Sequence, residues 1–219
     1  MVRALCALLF LCGISWPTLA EDSKRMTAIL LVARAELPDP NFKDSVVLVM
    51  NQIGPGPLGV IINKPTKIPL SELFPDIENL AQLEEKVYFG GPVAMQVVSF
   101  VFRATKRPEG ATEVVDGVFF SANGKLLREL LSRGKPVEGL RVFLGYAGWS
   151  EGQLEGEIAR GDWSLAPARS STVFDVKPER LWPELHRPGS GHRASAQDEI
   201  DYRAQASRFA HSGRAKAAF

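Results

Sequence analysis

Cysteine is nearly absent from this 219-residue chain, and the two that occur, Cys6 and Cys12, lie within the first twelve residues. Everything after them is free of thiols, which excludes a disulfide, a thiol nucleophile and a thiolate metal site there. Histidine is almost as scarce: His186, His192 and His211 all stand towards the C-terminus. The apolar body before them offers no imidazole for a Ser-His-Asp arrangement or a histidine-ligated metal. An excess of one charge is missing too, the formal net charge being +1. Residues 21–186 carry 19 Lys/Arg against 22 Asp/Glu, a net of −3, and residues 187–219 carry six against three, a net of +3. A body of that balance lacks the basic footprint of a nucleic-acid binder, and none is expected as a partner. After residue 20, no stretch approaches the roughly 20 apolar residues of a membrane helix.

What is present at the N-terminus has the make-up of an export leader. Arg3 supplies the positive start, "ALCALLFLCGI" (residues 4–14) is an apolar run short of a bilayer span, and Pro17 breaks it. "TLA" (residues 18–20) offers small residues for cleavage after Ala20. Neither cysteine follows a small residue, so a lipid anchor is not expected. The chain therefore divides into a signal peptide (residues 1–20), an α/β domain (residues 21–186) and a basic tail (residues 187–219). The tail has a single aliphatic residue, Ile200, and is expected to be disordered, because it cannot bury enough apolar surface to offset its ordering entropy. The predicted location is periplasmic or secreted, with no integral membrane segment after cleavage; a retained anchor or a misassigned start are the alternatives.

In the body, β-branched and aromatic runs predict strands over residues 28–33, 45–50, 59–63, 86–89, 97–102, 114–119 and 140–144. "PLSELFP" (residues 69–75) predicts one or two helical turns. "SANGKLLRELLSRGKP" predicts a helix capped by Ser121 or Asn123, with Leu126, Leu127, Leu130 and Leu131 as its buried stripe and Gly134 and Pro136 as its stop. Many successive strands with few helices give an α+β class: one domain on a mixed, largely antiparallel sheet.

The segment "NQIGPGPLGVIINKP" contains Gly54-x-Gly56-x-x-Gly59, the spacing of a dinucleotide-binding loop. Such a loop must lead from a strand into a helix whose free amides hold the phosphates. Here the residues after Gly59 are β-branched, and Pro55 and Pro57 remove amide donors. The pattern is strand, turn, strand, and the glycines are expected to turn a hairpin corner rather than to cradle a cofactor.

"LRVFLGYAGWSEGQLEGEIARGDW" (residues 140–163) predicts a strand ending at Leu144, a glycine loop carrying Tyr146 and Trp149, and then a helix. Ser150 and Gln153 have capping-box spacing, Trp149 can staple onto Leu154, Ile158 continues the buried face, and Gly161 can end the helix. Glu151 and Glu155 suit the positive helix end, and Glu151 would repel an anion there. A rigid structural corner is the first reading; a ligand or partner surface on Tyr146 and Trp149 is the second.

Four segments, "DPNFKDSVV" (residues 39–47), "GPLGVIINKP" (residues 56–65), "YFGGPV" (residues 88–93) and "GYAGWSEGQLEGEI" (residues 145–158), resemble in that order the YqgE/AlgH family, also called UPF0301 or DUF179. "FDVKPERLW" (residues 174–182) agrees as well. The resemblance implies one mixed α/β domain around a large sheet; it does not imply a catalytic mechanism. The family is mostly described as cytosolic and is associated with transcriptional regulation of alginate synthesis; the leader and basic tail depart from that pattern.

The chemistry left to the body is carboxylates and lysines. Asp39 and Asp44 flank "PNFK" and are expected to cap a turn, Glu151 and Glu155 to be solvated, and Lys64 to be a surface lysine at a strand end, a buried lysine of shifted pKa being the alternative. No catalytic residue, metal or cofactor is assigned. The leading expectation is a non-catalytic binding or accessory protein with an unidentified protein or small-ligand partner. Its candidate surface comprises Asp39, Asn63, Lys64, Gly90, Gly91, Tyr146, Gly148, Trp149 and Gln153. The alternatives are a hydrolase-like enzyme using carboxylates or Lys64, and a transcriptional regulator.

Overall fold

The computed structural model describes residues 28–50, 53, 56–83, 85–133 and 139–187. The leader, most of the tail, Gly54 and residues 134–138, with the expected helix stop at Gly134 and Pro136, lie outside the described residues. Ten strands form one curled, largely antiparallel sheet: β1 (Ala28–Ala33), β2 (Val46–Met50), β3 (Leu58–Ile61), β4 (Pro65–Pro69), β5 (Lys86–Phe89), β6 (Val93–Arg103), β7 (Thr112–Val115), β8 (Val118–Ser121), β9 (Leu140–Gly148) and β10 (Trp163–Pro167). The order is β10-β1-β2-β3-β9-β6-β8-β7, with β5 also beside β9, in parallel, and β4 beside β5. Among the described residues, five short α-helices accompany them: α1 (Leu70–Leu73), α2 (Gly124–Leu131), α3 (Gln153–Arg160), α4 (Ser170–Phe174) and α5 (Pro178–His186). The α+β architecture expected from the sequence is the one observed. Among the described residues, no helix is long and apolar enough to cross a membrane.

The first three strands are apolar on both faces because both faces are covered. Side chains alternate across a strand. Leu30, Val32, Leu48 and Val60 therefore join Leu181 and Leu185 of α5 in the core inside the curl. Ile29, Leu31, Val47 and Ile61 point the other way, to Leu154 and Ile158 of α3. A third cluster sets Phe100, Phe102 and Phe119 against the leucines of α2. Of the two expected caps, Asn123 is the one that caps α2, its Oδ1 accepting from the amides of Lys125 and Leu126, while Ser121 ends β8.

Four expectations need correction. The strand expected over residues 114–119 is two strands, β7 and β8, joined by Asp116-Gly117, where Gly117 takes φ 70°. That dipeptide is a strong hairpin signal. Strands β4 and β10 were not expected; their prolines stand at strand ends, Pro65 and Pro69 in β4 and Pro167 in β10, where the missing amide is tolerated. Strand β6 begins at Val93 rather than Val97. Strand β9 continues to Gly148 instead of stopping at Leu144, because Gly145, at φ 71°, lets it pass from β5 to β3 while Tyr146 still pairs with Val93 of β6.

Candidate functional site

The glycine-proline segment is built around Trp149. The expected hairpin forms, β2 pairing antiparallel with β3. A Cβ on Gly59 would lie 3.2 Å from the Trp149 ring and 2.7 Å from Val47 Cγ1, and one on Gly56 would lie 2.7 Å from the Trp149 carbonyl oxygen. The Trp149 amide donates to the Pro57 carbonyl at 3.2 Å. Gly59 leaves room for the Trp149 indole and Gly56 for its carbonyl.

Trp149 is 7% exposed, which favours the structural reading of the corner. Its Nε1 donates to Glu157 Oε2 at 2.9 Å, and Trp163 Nε1 donates to the same oxygen at 2.9 Å. The two rings meet edge to face with centroids 6.5 Å apart. Gln153 completes the arrangement: Nε2 donates to Glu157 Oε1 at 3.0 Å, and Oε1 accepts from the Ser150 amide at 3.1 Å. Only this half of the expected capping box forms. Helix α3 starts at Gln153 after Gly152, whose φ of 77° makes a tight turn, so Ser150 lies too far upstream to cap it with its side chain. Gly161 ends the helix in the left-handed conformation, as expected. Of the expected solvated pair, Glu151 is exposed but Glu155 is half-buried, and its Oε2 has no partner among the described residues.

Asp39, Asn63 and Lys64 come together on a second knot. Asp39 Oδ1 accepts from the Asn41 amide at 2.8 Å, the turn cap expected of it. Asn63 extends the sheet by imitating a backbone partner: Oδ1 accepts from the Val46 amide at 2.8 Å and Nδ2 donates to the Asp44 carbonyl at 2.9 Å. This holds Asp44 at φ 55°. Lys64 Nζ donates to the Asn41 carbonyl at 2.9 Å. Burial lowers the pKa of this ammonium, and the charges of Asp44 and Asp39 only partly offset it.

Gly90 and Gly91 meet β9 backbone to backbone. The Gly90 amide donates to the Leu144 carbonyl at 2.8 Å, and the Gly90 carbonyl accepts from the Ile61 amide at 2.9 Å. A Cβ on Gly91 would lie 2.4 Å from the Tyr146 carbonyl oxygen, and one on Gly145 would lie 2.3 Å from the Gly91 carbonyl oxygen. Three separated segments, around Gly59, Gly90 and Gly145, thus converge on one junction that tolerates no side chain at its crossings. Tyr146 is half-buried against the inner core and Gly148 is exposed beside its ring.

Over this junction β6 bulges. Its register with β9 jumps between Val93↔Tyr146 and Val98↔Leu144, and Ala94 takes φ 46°, a conformation rare for a residue with a Cβ. The bulge presents Val93, Met95 and Val97 at 38%, 48% and 39% exposure, against a core in which large apolar side chains are below one-tenth. Sequence reasoning missed this feature; the uncharged run from Phe89 to Phe102 was its only signal.

Arg141 was missed as well. It lies buried on the inner face of β9, donating to the carbonyls of Ile62 at 2.7 Å and Val176 at 3.3 Å. Its guanidinium stands 5.2 Å from the Tyr88 ring centre and 6.0 Å from that of Phe174. Desolvation lowers its pKa and raises that of Tyr88, each group's charge opposing the shift of the other. Arg103 grips the same segment through Ser170 and Asp175. Together the two arginines fasten α4 and the connection after it over the curl. A lone arginine in "LRVFLG" was the signal available. Among the described residues, no three His, Cys, Asp or Glu side chains group to hold a metal ion.

Residues 30–192 match the model of the family described as DUF179, AlgH-like. A UPF0301 protein of Chlorobaculum tepidum is 38% identical over 164 residues, which span 74% of this chain and 86% of that protein. One from Methylococcus capsulatus is 35% identical over 171 residues, spanning 77% and 93%. Among solved structures, the solution structure of the AlgH protein from Pseudomonas aeruginosa is similar with a TM-score of 0.61 at 27% identity, covering 76% of this chain and 90% of that one. A crystal structure of a Corynebacterium diphtheriae protein gives 0.60 at 26% identity, with 76% and 91% covered.

Proposed function

Because the chain belongs to the AlgH-like DUF179 (UPF0301) family, we propose that it is a non-catalytic binding or accessory protein that docks a partner on the bulge of β6, and that it works outside the cytoplasm once residues 1–20 are removed. The observation that carries the reading is the exposure of Val93, Met95 and Val97 together, directly over the junction of Gly90, Gly91 and Gly145. A close backbone crossing fixes the base of the bulge, so the apolar side chains are held out at little further ordering cost. Their neighbours Tyr146 and Gly148 belong to the same surface. Asp39, Asn63, Lys64, Trp149 and Gln153 serve it indirectly, as the knots that hold β2, β3 and β9 in place. The export part of the proposal rests on Arg3, the apolar run after it and the small residues before Glu21.

The test is crosslinked capture from the envelope fraction with the wild-type chain and with Val93→Ser/Val97→Ser. Loss of a partner by the double variant, at unchanged melting temperature, supports docking on the bulge; equal capture by both refutes it. Mass spectrometry of the native protein reads the export part, with a chain starting at Glu21 expected and an intact Met1 terminus contrary.

A further inference from the structure

The bulge carries a reactive atom as well as an apolar surface. The two methionines among the described residues differ sharply: Met50 is 1% exposed inside β2, whereas Met95 is 48% exposed at the crest of the bulge. The Met95 sulfur is seated rather than loose. A Cβ on Gly145 would lie 3.2 Å from Met95 Sδ, so the missing side chain of Gly145 leaves the place the thioether occupies. The backbone beneath is fixed by the Gly91–Gly145 crossing and by Ala94 at φ 46°. The residue is thus held half-exposed on a rigid base, its sulfur beside Gly145.

We propose that Met95 is an oxidation site and that its sulfoxide switches the bulge from apolar to polar. The co-reactant is a two-electron oxidant of the peroxide class. A sulfur lone pair attacks one peroxide oxygen, the O–O bond breaks as the S–O bond forms, and the departing hydroxide takes the proton of the transferred hydroxyl to leave as water. Sulfur loses two electrons and the peroxide gains them. The product places a strong dipole between Val93 and Val97, where the unoxidised side chain is soft and apolar. Burial of Met50 withholds the same chemistry from the core. With no cysteine after Cys12, thiols do not compete for oxidant anywhere in the body. The oxidation chemistry stands on exposure alone; only its consequence, the blocking of a partner, rests on the docking proposed above.

The experiment exposes the full chain to hydrogen peroxide and follows each methionine-containing peptide by mass spectrometry. Met95 is expected to gain one oxygen at least about tenfold faster than Met50, since susceptibility follows exposure. Retention on a hydrophobic-interaction column is expected to fall with the same time course, and not to fall in Met95→Leu. The denaturant midpoint should stay unchanged, because the sulfoxide lies outside the core. Equal rates at Met95 and Met50, or an identical retention change in Met95→Leu, would overturn the proposal. The docking reading is tested apart from this one, by Val93→Ser/Val97→Ser, which contains the same sulfur.

Discussion

Trp149→Ala removes an indole that is 7% exposed, packed against Leu154 and the β1–β3 face of the sheet, and bonded to Glu157. Truncating a buried aromatic to alanine costs about 3–5 kcal/mol, and the upper half of that range applies where the site cannot collapse. It cannot collapse readily here. The walls are the sheet backbone at Gly59, the Trp163 ring and helix α3, all fixed by other contacts. Trp149→Phe separates the parts of the cost. It keeps an aromatic ring but deletes the N–H together with part of the fused ring system, and the hydrogen-bond part of its cost, to a charged acceptor, is about 1.5–3 kcal/mol. Glu157 keeps Trp163 and Gln153 as donors, so the loss should fall at the lower end of that range. Trp149→Phe and Glu157→Ala should then be non-additive by more than about 0.5 kcal/mol, as residues sharing one network are. Denaturant unfolding monitored by circular dichroism measures the three single variants and the Trp149→Phe/Glu157→Ala double variant. A Trp149→Ala cost below about 0.5 kcal/mol, the range of ordinary surface changes, would refute the reasoning and make Trp149 an exposed binding group instead.

Asn63→Ala orphans the Val46 amide and the Asp44 carbonyl together, and should cost roughly 1–3 kcal/mol, with faster amide exchange confined to residues 44–46. Gly145→Ala forces a Cβ into the Gly91 carbonyl at φ 71°. It should exceed the ~1–2 kcal/mol of a left-handed alanine and leave little soluble protein, so a normal yield with a normal melting curve would contradict the junction. Lys64 should deprotonate below the ordinary lysine value of 10.5, because burial outweighs Asp44 and Asp39. Folding therefore disfavours its charged form, and its contribution to stability should rise with pH from the folded value towards 10.5. Asp44→Asn removes an offsetting charge and should drive the value lower still, which side-chain NMR titration would show; an unchanged or higher value would be contrary.

The sequence by itself determined the class of the fold and the course of most of it. Runs such as "AILLVA" and "VVLVM" read as strands because they are short and contain β-branched residues, and six or five consecutive apolar residues leave no face for water. The leucine stripe of α2 and its Asn123 cap are equally local, as is the exclusion of a phosphate loop, which two prolines and a following β-branched run decide. Trp149 and Gly161 were placed correctly for the same reason: caps, staples and turns act between residues a few positions apart. Tertiary structure alone decided what depends on distant partners. Glu157 gains its meaning from Trp163 and Trp149, which only the turn of the chain through α3 and into β10 brings to one oxygen. Arg141 is buried because Phe174 of α4 and the connection after it, which supplies Val176, close over it. Gly91 and Gly145 are 54 positions apart, and the demand for glycine at both arises from one backbone crossing. The bulge of β6 follows from that crossing. Its register slips where β9 changes partners, and no periodicity within β6 records a change that takes place in another strand.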